Sequence, residues 1–201
     1  LQKAKEVDGP VPTLVIAPTT VVFNWEAEIQ KFTPELSCLK ITGPDRNSLF
    51  KKIPEYDIII TSYALVRRDI AKLKKFKFRY IVLDESQNIK NAISQTAQAV
   101  KSLESDHKLA LSGTPIENKL EELWSVFDFL MPGFLFNVAE FNFRYVTPIM
   151  ERQDKTVEKR LKLQIFPFIL RRMKRDVAKD LPDKVENMAY CELTDEQRDF
   201  Y

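Results

Sequence analysis

Five apolar runs punctuate the chain: Thr13-Leu-Val-Ile-Ala17, Cys38-Leu-Lys-Ile41, Asp57-Ile-Ile-Ile-Thr61, Tyr80-Ile-Val-Leu83 and Lys108-Leu-Ala-Leu-Ser112. Three are near-continuous stretches of aliphatic or β-branched residues, the pattern of strands buried on both faces. Between most of them the apolar residues return at helical spacing. Over Val21 to Phe32, the residues Val22, Trp25, Ile29 and Phe32 share one stripe, and Tyr63 to Leu73 and Ala92 to Leu103 behave alike. Strand and helix in alternation imply a parallel sheet with helical crossovers. The predicted fold class is α/β, a parallel sheet sandwiched by helices.

The pattern changes after Pro115. Asn118 followed by Glu121 resembles a capping box, and Leu120, Leu123, Trp124, Phe127 and Leu130 then form one apolar helical face that Met131-Pro132-Gly133 ends. From there to Leu181-Pro182 the sequence is aromatic and basic at helical spacing, which predicts a helical protrusion. Asn187 to Leu193 reads as a short strand, and Thr194-Asp-Glu-Gln197 as the capped start of a helix that the chain leaves at Tyr201. The expected division is 1–125 for the sheet lobe, 126–186 for the protrusion and 187–201 for a linker into a further domain.

Composition supports a packed core: of 201 residues 44% are hydrophobic, with 14 Phe, 6 Tyr and 2 Trp. No apolar run approaches the ~20 residues of a membrane helix, and Leu1-Gln2-Lys3-Ala4-Lys5-Glu6 is too polar for a signal peptide. Cys38 and Cys191 read as reduced, buried thiols. The one histidine, His107, reads as a surface residue before a strand, so a His/Cys zinc site is excluded. The net charge of +2 hides an asymmetry: residues 144–184 hold 12 Lys/Arg against 6 Asp/Glu, the remainder 19 against 23. A basic section behind an acidic body fits a nearby polyanion; a solvated helical face fits as well.

Parallel α/β sheets bind ligands beyond the carboxyl ends of their strands. The residues there are Pro18-Thr19-Thr20, Gly43, Thr61-Ser62-Tyr63, Asp84-Glu85-Ser86-Gln87 and Ser112-Gly113-Thr114-Pro115. Four of these five loops carry hydroxyls or carboxylates, a composition suited to phosphates. Tyr80 to Glu85 has the form of a Walker B strand, whose first carboxylate sits near Mg²⁺ and whose second orients or deprotonates water. A turn with a helix cap has the same composition. Lys108 to Pro115, with Ser112 lying 28 residues beyond Asp84, adds hydroxyls beside the carboxylates if the two strands are neighbours. Taken alone, it also reads as a strand-to-helix turn in which Gly113 relieves strain. Pro18, Thr19 and Thr20 with the helix after them, and Thr61-Ser62-Tyr63, are two seats for a phosphate, with core packing of Trp25 and a helix cap as the plainer readings. Arg171-Arg172-Met173-Lys174-Arg175 suits a DNA backbone or a set of docking salt bridges. A phosphate loop of the form G-x-x-x-x-G-K-[ST] is missing, since the only glycines are Gly9, Gly43, Gly113 and Gly133.

These residues together resemble the Swi/Snf-type ATPases of helicase superfamily two. Leu14 to Glu26 resembles the family's motif Ia, Asp84 to Asn91 its motif II, and Leu111 to Asn118 through Leu123-Trp124 its motif III. Ile169 to Asp176, Leu181-Pro182 and Glu192 to Gln197 are similar to its downstream signatures. The resemblance spans residues 13–201. It implies the first RecA-like lobe of P-loop NTPase type, truncated at its N-terminus so that the Walker A segment is lacking, and a parent protein that uses ATP and Mg²⁺ to move along double-stranded DNA. Its implied partners are DNA-bound protein complexes that it remodels or displaces. Asp84 would hold Mg²⁺ and Glu85 activate water; Gln87, Ser112, Gly113 and Thr114 would couple hydrolysis to DNA. Pro18, Thr19, Thr61, Ser62, Tyr63, Arg171 and Arg172 would lie near DNA.

Ser86 and Gln87 depart from the family's usual motif II, where Ala or Gly and then His are common. That leaves the acidic pair intact and puts the role of position 87 in question. Motif I is expected upstream of Leu1 and arginine fingers downstream of Tyr201. The fragment is accordingly expected to be monomeric, without bound cofactor and without ATPase activity, its affinity for DNA weak and salt-sensitive. The expected location is the bacterial cytoplasm, at the nucleoid, or the nucleus of a eukaryote. A scaffold lobe that binds DNA or a partner without hydrolysis is the alternative. An RNA helicase fits less well, given the extension of motif III and the protrusion.

Overall fold

Alternate residues of a strand leave it on opposite faces, and in the computed structural model that alternation builds two cores. The structure describes residues 11–113 and 120–172. Five parallel strands, β1 (Thr13–Ala17), β2 (Cys38–Lys40), β3 (Ile58–Ser62), β4 (Phe78–Leu83) and β5 (Ser105–Ala110), form one sheet in the order β2-β3-β1-β4-β5. Leu14, Ile16, Ile59, Ile81 and Leu83 enter the larger core, while Val15, Ala17, Ile58, Ile60 and Val82 enter the smaller. The larger also takes Val66 and Leu73 of α2 (Tyr63–Leu73), Ala97 and Val100 of α3 (Gln95–Lys101) and Phe129 of α4 (Leu120–Leu130). The smaller takes Val22 and Ile29 of α1 (Val22–Phe32). Helices thus cover both faces, as the near-continuous apolar strands predict.

Local chemistry sets several boundaries. Ser94 caps α3 by accepting the Ala97 N–H at 3.1 Å, satisfying one of the donors a helix start leaves free. Helix α4 buries Leu123 through Phe127 and Phe129 and leaves Glu121 exposed and Glu122 and Asp128 half-buried, the one-sided pattern of an amphipathic helix laid on a core. Its one buried hydroxyl, Ser125 Oγ, donates to the carbonyl of Ile89 at 2.6 Å. That bond ties α4 to the loop that leaves β4. Past α4, Gly133 turns the chain at φ +82°, a conformation that costs a residue without Cβ little. Short helices α5 (Val138–Phe141) and α6 (Thr147–Met150), with a π-helical turn at Asn142–Val146 between them, precede α7 (Lys155–Ile165). The described residues after α4 are mostly helical, as their spacing predicts.

The chain divides into two compact units, Leu1–Lys159 and Arg160–Tyr201. The first contains the whole sheet. In the second, buried Leu161 and Ile165 are followed by a 3₁₀ turn, Phe166–Phe168, and by exposed Ile169 to Arg172. The strand and helix expected within 187–201, Asn118 of the capping box, and Cys191 lie outside the described residues.

Several expectations need correction. The fifth strand starts and ends earlier than its apolar run, and it is not buried: at the sheet's edge it pairs with β4, and Leu109 is 47% exposed. His107 lies within this strand, not before it, and its ring sits 4.7 Å from that of Tyr80. Phe32, the last residue of α1, leaves the buried stripe and is 68% exposed, with Lys31 over its ring. Cys38 is half-buried on a short strand; it is a free cysteine whose thiol pKa burial raises.

Candidate active site

Strand β4 delivers Asp84 to the carboxyl edge of the sheet, between β1 on one side and β5 on the other. The Asp84 N–H donates to the carbonyl of Ile16 at 2.9 Å, so sheet pairing reaches the residue's own backbone. Trp25, in the first turn of α1, donates its Nε1–H to Asp84 Oδ2 at 2.8 Å. The Glu85 N–H closes on Oδ1 at 3.0 Å. Tyr63, the first residue of α2, donates its hydroxyl to the Asp84 carbonyl at 2.8 Å. Each acceptor on this residue therefore has a donor from a different part of the fold. Burial, and after it the charges of Asp84 and Glu85, push the Tyr63 pKa well above its ordinary value. Tyr63 remains a donor at any physiological pH.

Glu85 turns the chain with φ 51° and ψ 59°, a left-handed conformation uncommon outside glycine and found often at functional sites. Gln87 Nε2 donates to Glu85 Oε2 at 2.8 Å, and Ser112 Oγ donates to Gln87 Oε1 at 3.2 Å. The orientation of the amide follows from chemistry: a carboxylate only accepts, so the NH₂ must face Glu85 and the oxygen Ser112. The main chain binds the two loops as well. Leu111 N–H donates to the Leu83 carbonyl at 2.7 Å, and Ser86 N–H to the Leu111 carbonyl at 2.8 Å.

The structure thus brings together Asp84, Glu85, Gln87 and Ser112, from neighbouring parallel strands, as the spacing of the two motifs predicts. Thr114 lies outside the described residues. Gly113 is exposed; a Cβ there would meet no atom within 4 Å, and its φ is not left-handed. Relief of strain is therefore not what this position needs. Pro18 heads a 3₁₀ turn, Thr19–Val21, on which Thr19 and Thr20 are exposed. Thr61, Ser62 and Tyr63 contrast with them, all three being buried, with the Thr61 hydroxyl donating to the Ile41 carbonyl at 2.9 Å. The expectation that their hydroxyls form an open phosphate seat does not fit this arrangement, because two of the three are held inside the protein. Ser62 occupies the N-cap position of α2 without a side-chain capping bond. Arg171 and Arg172 are exposed within the second unit.

Sequence reasoning missed what Trp25 and Tyr63 do. A signal existed: an indole or phenol that is buried even in part needs an acceptor, and motif II begins with one. Asp84 suits a hard cation, since Mg²⁺ takes one or two carboxylates with waters and phosphate oxygens. Each Asp84 oxygen accepts one N–H and has a second lone pair. Among the described residues no group of three His, Cys, Asp or Glu gathers to cage a metal ion, and no helix is long and apolar enough to cross a membrane.

Comparison with known proteins extends the picture. The SNF2-related domain family matches residues 1–201. The TATA-binding protein-associated factor mot1 of Schizosaccharomyces pombe is 42% identical over 201 residues, covering 94% of this chain and 10% of that protein. The uncharacterized ATP-dependent helicase MG018 of Mycoplasma genitalium is 38% identical over 193 residues, covering 95% of this chain and 18% of its own length. Among solved structures, the Sulfolobus solfataricus SWI2/SNF2 ATPase core in complex with dsDNA is similar with a TM-score of 0.82 at 45% identity, over 99% of this chain and 42% of that one. The likeness extends to the RecA-like arrangement of parallel strands between helices. This chain spans a tenth to a fifth of those two curated relatives.

Proposed function

We propose that this chain, which belongs to the SNF2-related domain family, supplies the carboxylate half of an ATP site in a motor that moves along double-stranded DNA. The observation that carries the reading is the placement of Asp84 and Glu85 at the carboxyl end of β4, with Ser112 linked to Glu85 through Gln87. In this reading Asp84 holds Mg²⁺. When bound, Mg²⁺ neutralises charge on the phosphate oxygens. Glu85 accepts a proton from the attacking water, its left-handed backbone and Gln87 fixing where the carboxylate stands. Gln87 and Ser112 then link the base to the loop after β5. A displacement of that loop moves the amide and changes how firmly Glu85 is held. This assigns position 87 a coupling role despite its departure from the commoner histidine.

DNA contact is proposed for the exposed Thr19 and Thr20 beside Pro18, and for Arg171 and Arg172. Thr61, Ser62 and Tyr63 act in this reading as internal support. The phosphate-binding loop comes from sequence outside residues 1–201, so the isolated chain does not hydrolyse ATP. The name of the mot1 relative, a factor associated with TATA-binding protein, and the duplex in the similar archaeal structure support DNA-bound proteins as what the motor displaces. The test is Glu85→Gln in the full-length protein. DNA-stimulated ATP hydrolysis should fall by at least about 10²-fold, as loss of a general base predicts, with nucleotide binding retained. Undiminished hydrolysis would remove Glu85 from the mechanism.

A further inference from the structure

We infer that Trp25 is a positioning residue that ties the turn after β1 to the Asp84 carboxylate, so that a phosphate on this turn adjusts the nucleotide site. The inference rests on the reading of Asp84 as the Mg²⁺ carboxylate and asks how DNA reaches it.

The two oxygens of Asp84 answer to different parts of the molecule. Oδ1 takes the N–H of Glu85, the next residue along the chain, whereas Oδ2 takes the indole N–H of a residue 59 positions earlier. Trp25 follows shortly after Thr19 and Thr20, whose exposed turn runs straight into α1. Trp25, itself half-buried, packs with Val22 and Ile29 against the smaller core. A shift of α1 therefore carries the indole with it. An indole has one donor and no acceptor, so the bond to Oδ2 is either made or lost. The other tryptophan makes a useful contrast: Trp124 Nε1 donates to the main-chain carbonyl of Phe136 at 3.2 Å, a bond with no part in the site. Removal of a bond that orients a metal ligand commonly lowers metal affinity 10- to 100-fold, so one N–H suffices to tune the site.

Trp25→Phe keeps an aromatic ring in the core and deletes only the donor. Duplex DNA affinity of the full-length protein is measured by fluorescence anisotropy with and without Mg²⁺ and a non-hydrolysable ATP analogue. The ratio of the two affinities is the coupling factor, which must equal the effect of DNA on nucleotide binding. Expected are a coupling factor that collapses toward one in Trp25→Phe, and a roughly tenfold rise in the Mg²⁺ concentration needed for half-maximal nucleotide binding. A purely structural indole would lower the thermal midpoint and leave both quantities unchanged, which overturns the inference. If the variant does not fold, the wild-type protein decides: a Mg²⁺ requirement for nucleotide binding that DNA leaves unaltered also overturns it. Asp84→Asn separates the levels. Mg²⁺-dependent nucleotide binding that survives Asp84→Asn refutes the assignment of the carboxylate; binding lost there, with Trp25→Phe like wild type, refutes the Trp25 link alone.

Discussion

The two flanks of the acidic pair are built to different standards. On the β1 and β3 side, Asp84 meets strands buried along their whole length and receives bonds from a buried phenol and a half-buried indole. On the β5 side, Glu85 meets an edge strand with exposed residues; its carboxylate takes the half-buried Gln87 amide, which an exposed serine supports in turn, and its carbonyl takes the exposed Asn88 side chain. A cation ligand benefits from a fixed position, because its geometry is the geometry of the bound ion. A base that must respond to events elsewhere benefits from partners that can let go. In the proposed reading, the contrast separates holding from coupling within two consecutive residues.

The largest break in this comparison comes from the packed flank. Ile16→Ala, at a β1 position with no exposed surface, should cost about 2–5 kcal/mol in denaturant unfolding. Tyr63→Phe is gentler, removing one donor from the Asp84 carbonyl at a cost of about 1 kcal/mol. The same phenol gives a pH signature. Its folded pKa lies above the ordinary 10.0, so below that pH both folded and unfolded chains keep the proton. As pH climbs past 10.0 the unfolded chain loses its proton first and stability falls. Comparison of wild type with Tyr63→Phe in unfolding experiments above that pH should show a shallower decline in the variant. Gln87→Ala, on the open flank, should change stability by no more than about 0.5 kcal/mol. A cost there equal to that of Ile16→Ala would erase the distinction between the flanks.

How much of this was legible beforehand depended on range. Thr13–Ala17 was readable to the residue, because five consecutive apolar or β-branched positions admit few other structures. The meeting of motif II with motif III was readable as a condition, since two strands followed by polar loops share a site if they are neighbours. The exposure of β5 was not, because Leu109 and Leu111 have the same composition in an edge strand as in a central one. Nor was the bond from Trp25 to Asp84 readable from the helical period, which marks a residue as inward without naming its partner. Strand order brings these two together, and order emerges only when all five strands compete for neighbours. The burial of Thr61 and Tyr63 was hidden for a related reason. Hydroxyls at a strand end look open to solvent until the loops that cover them are known.

Among the described residues, one helix guards the smaller core. Helices α2, α3 and α4 share the opposite face, so loss of any one leaves others in place, but Val22 and Ile29 of α1 are the only described helical residues buried in their cluster. Excursions that lift α1 alone should be the cheapest sub-global openings of the sheet lobe. Hydrogen–deuterium exchange should register them as α1 amides that label ahead of those in α2 and α3. Each such excursion would also strip Oδ2 of its indole, giving the protein an idle state reached by a local loosening rather than by any change in the strands.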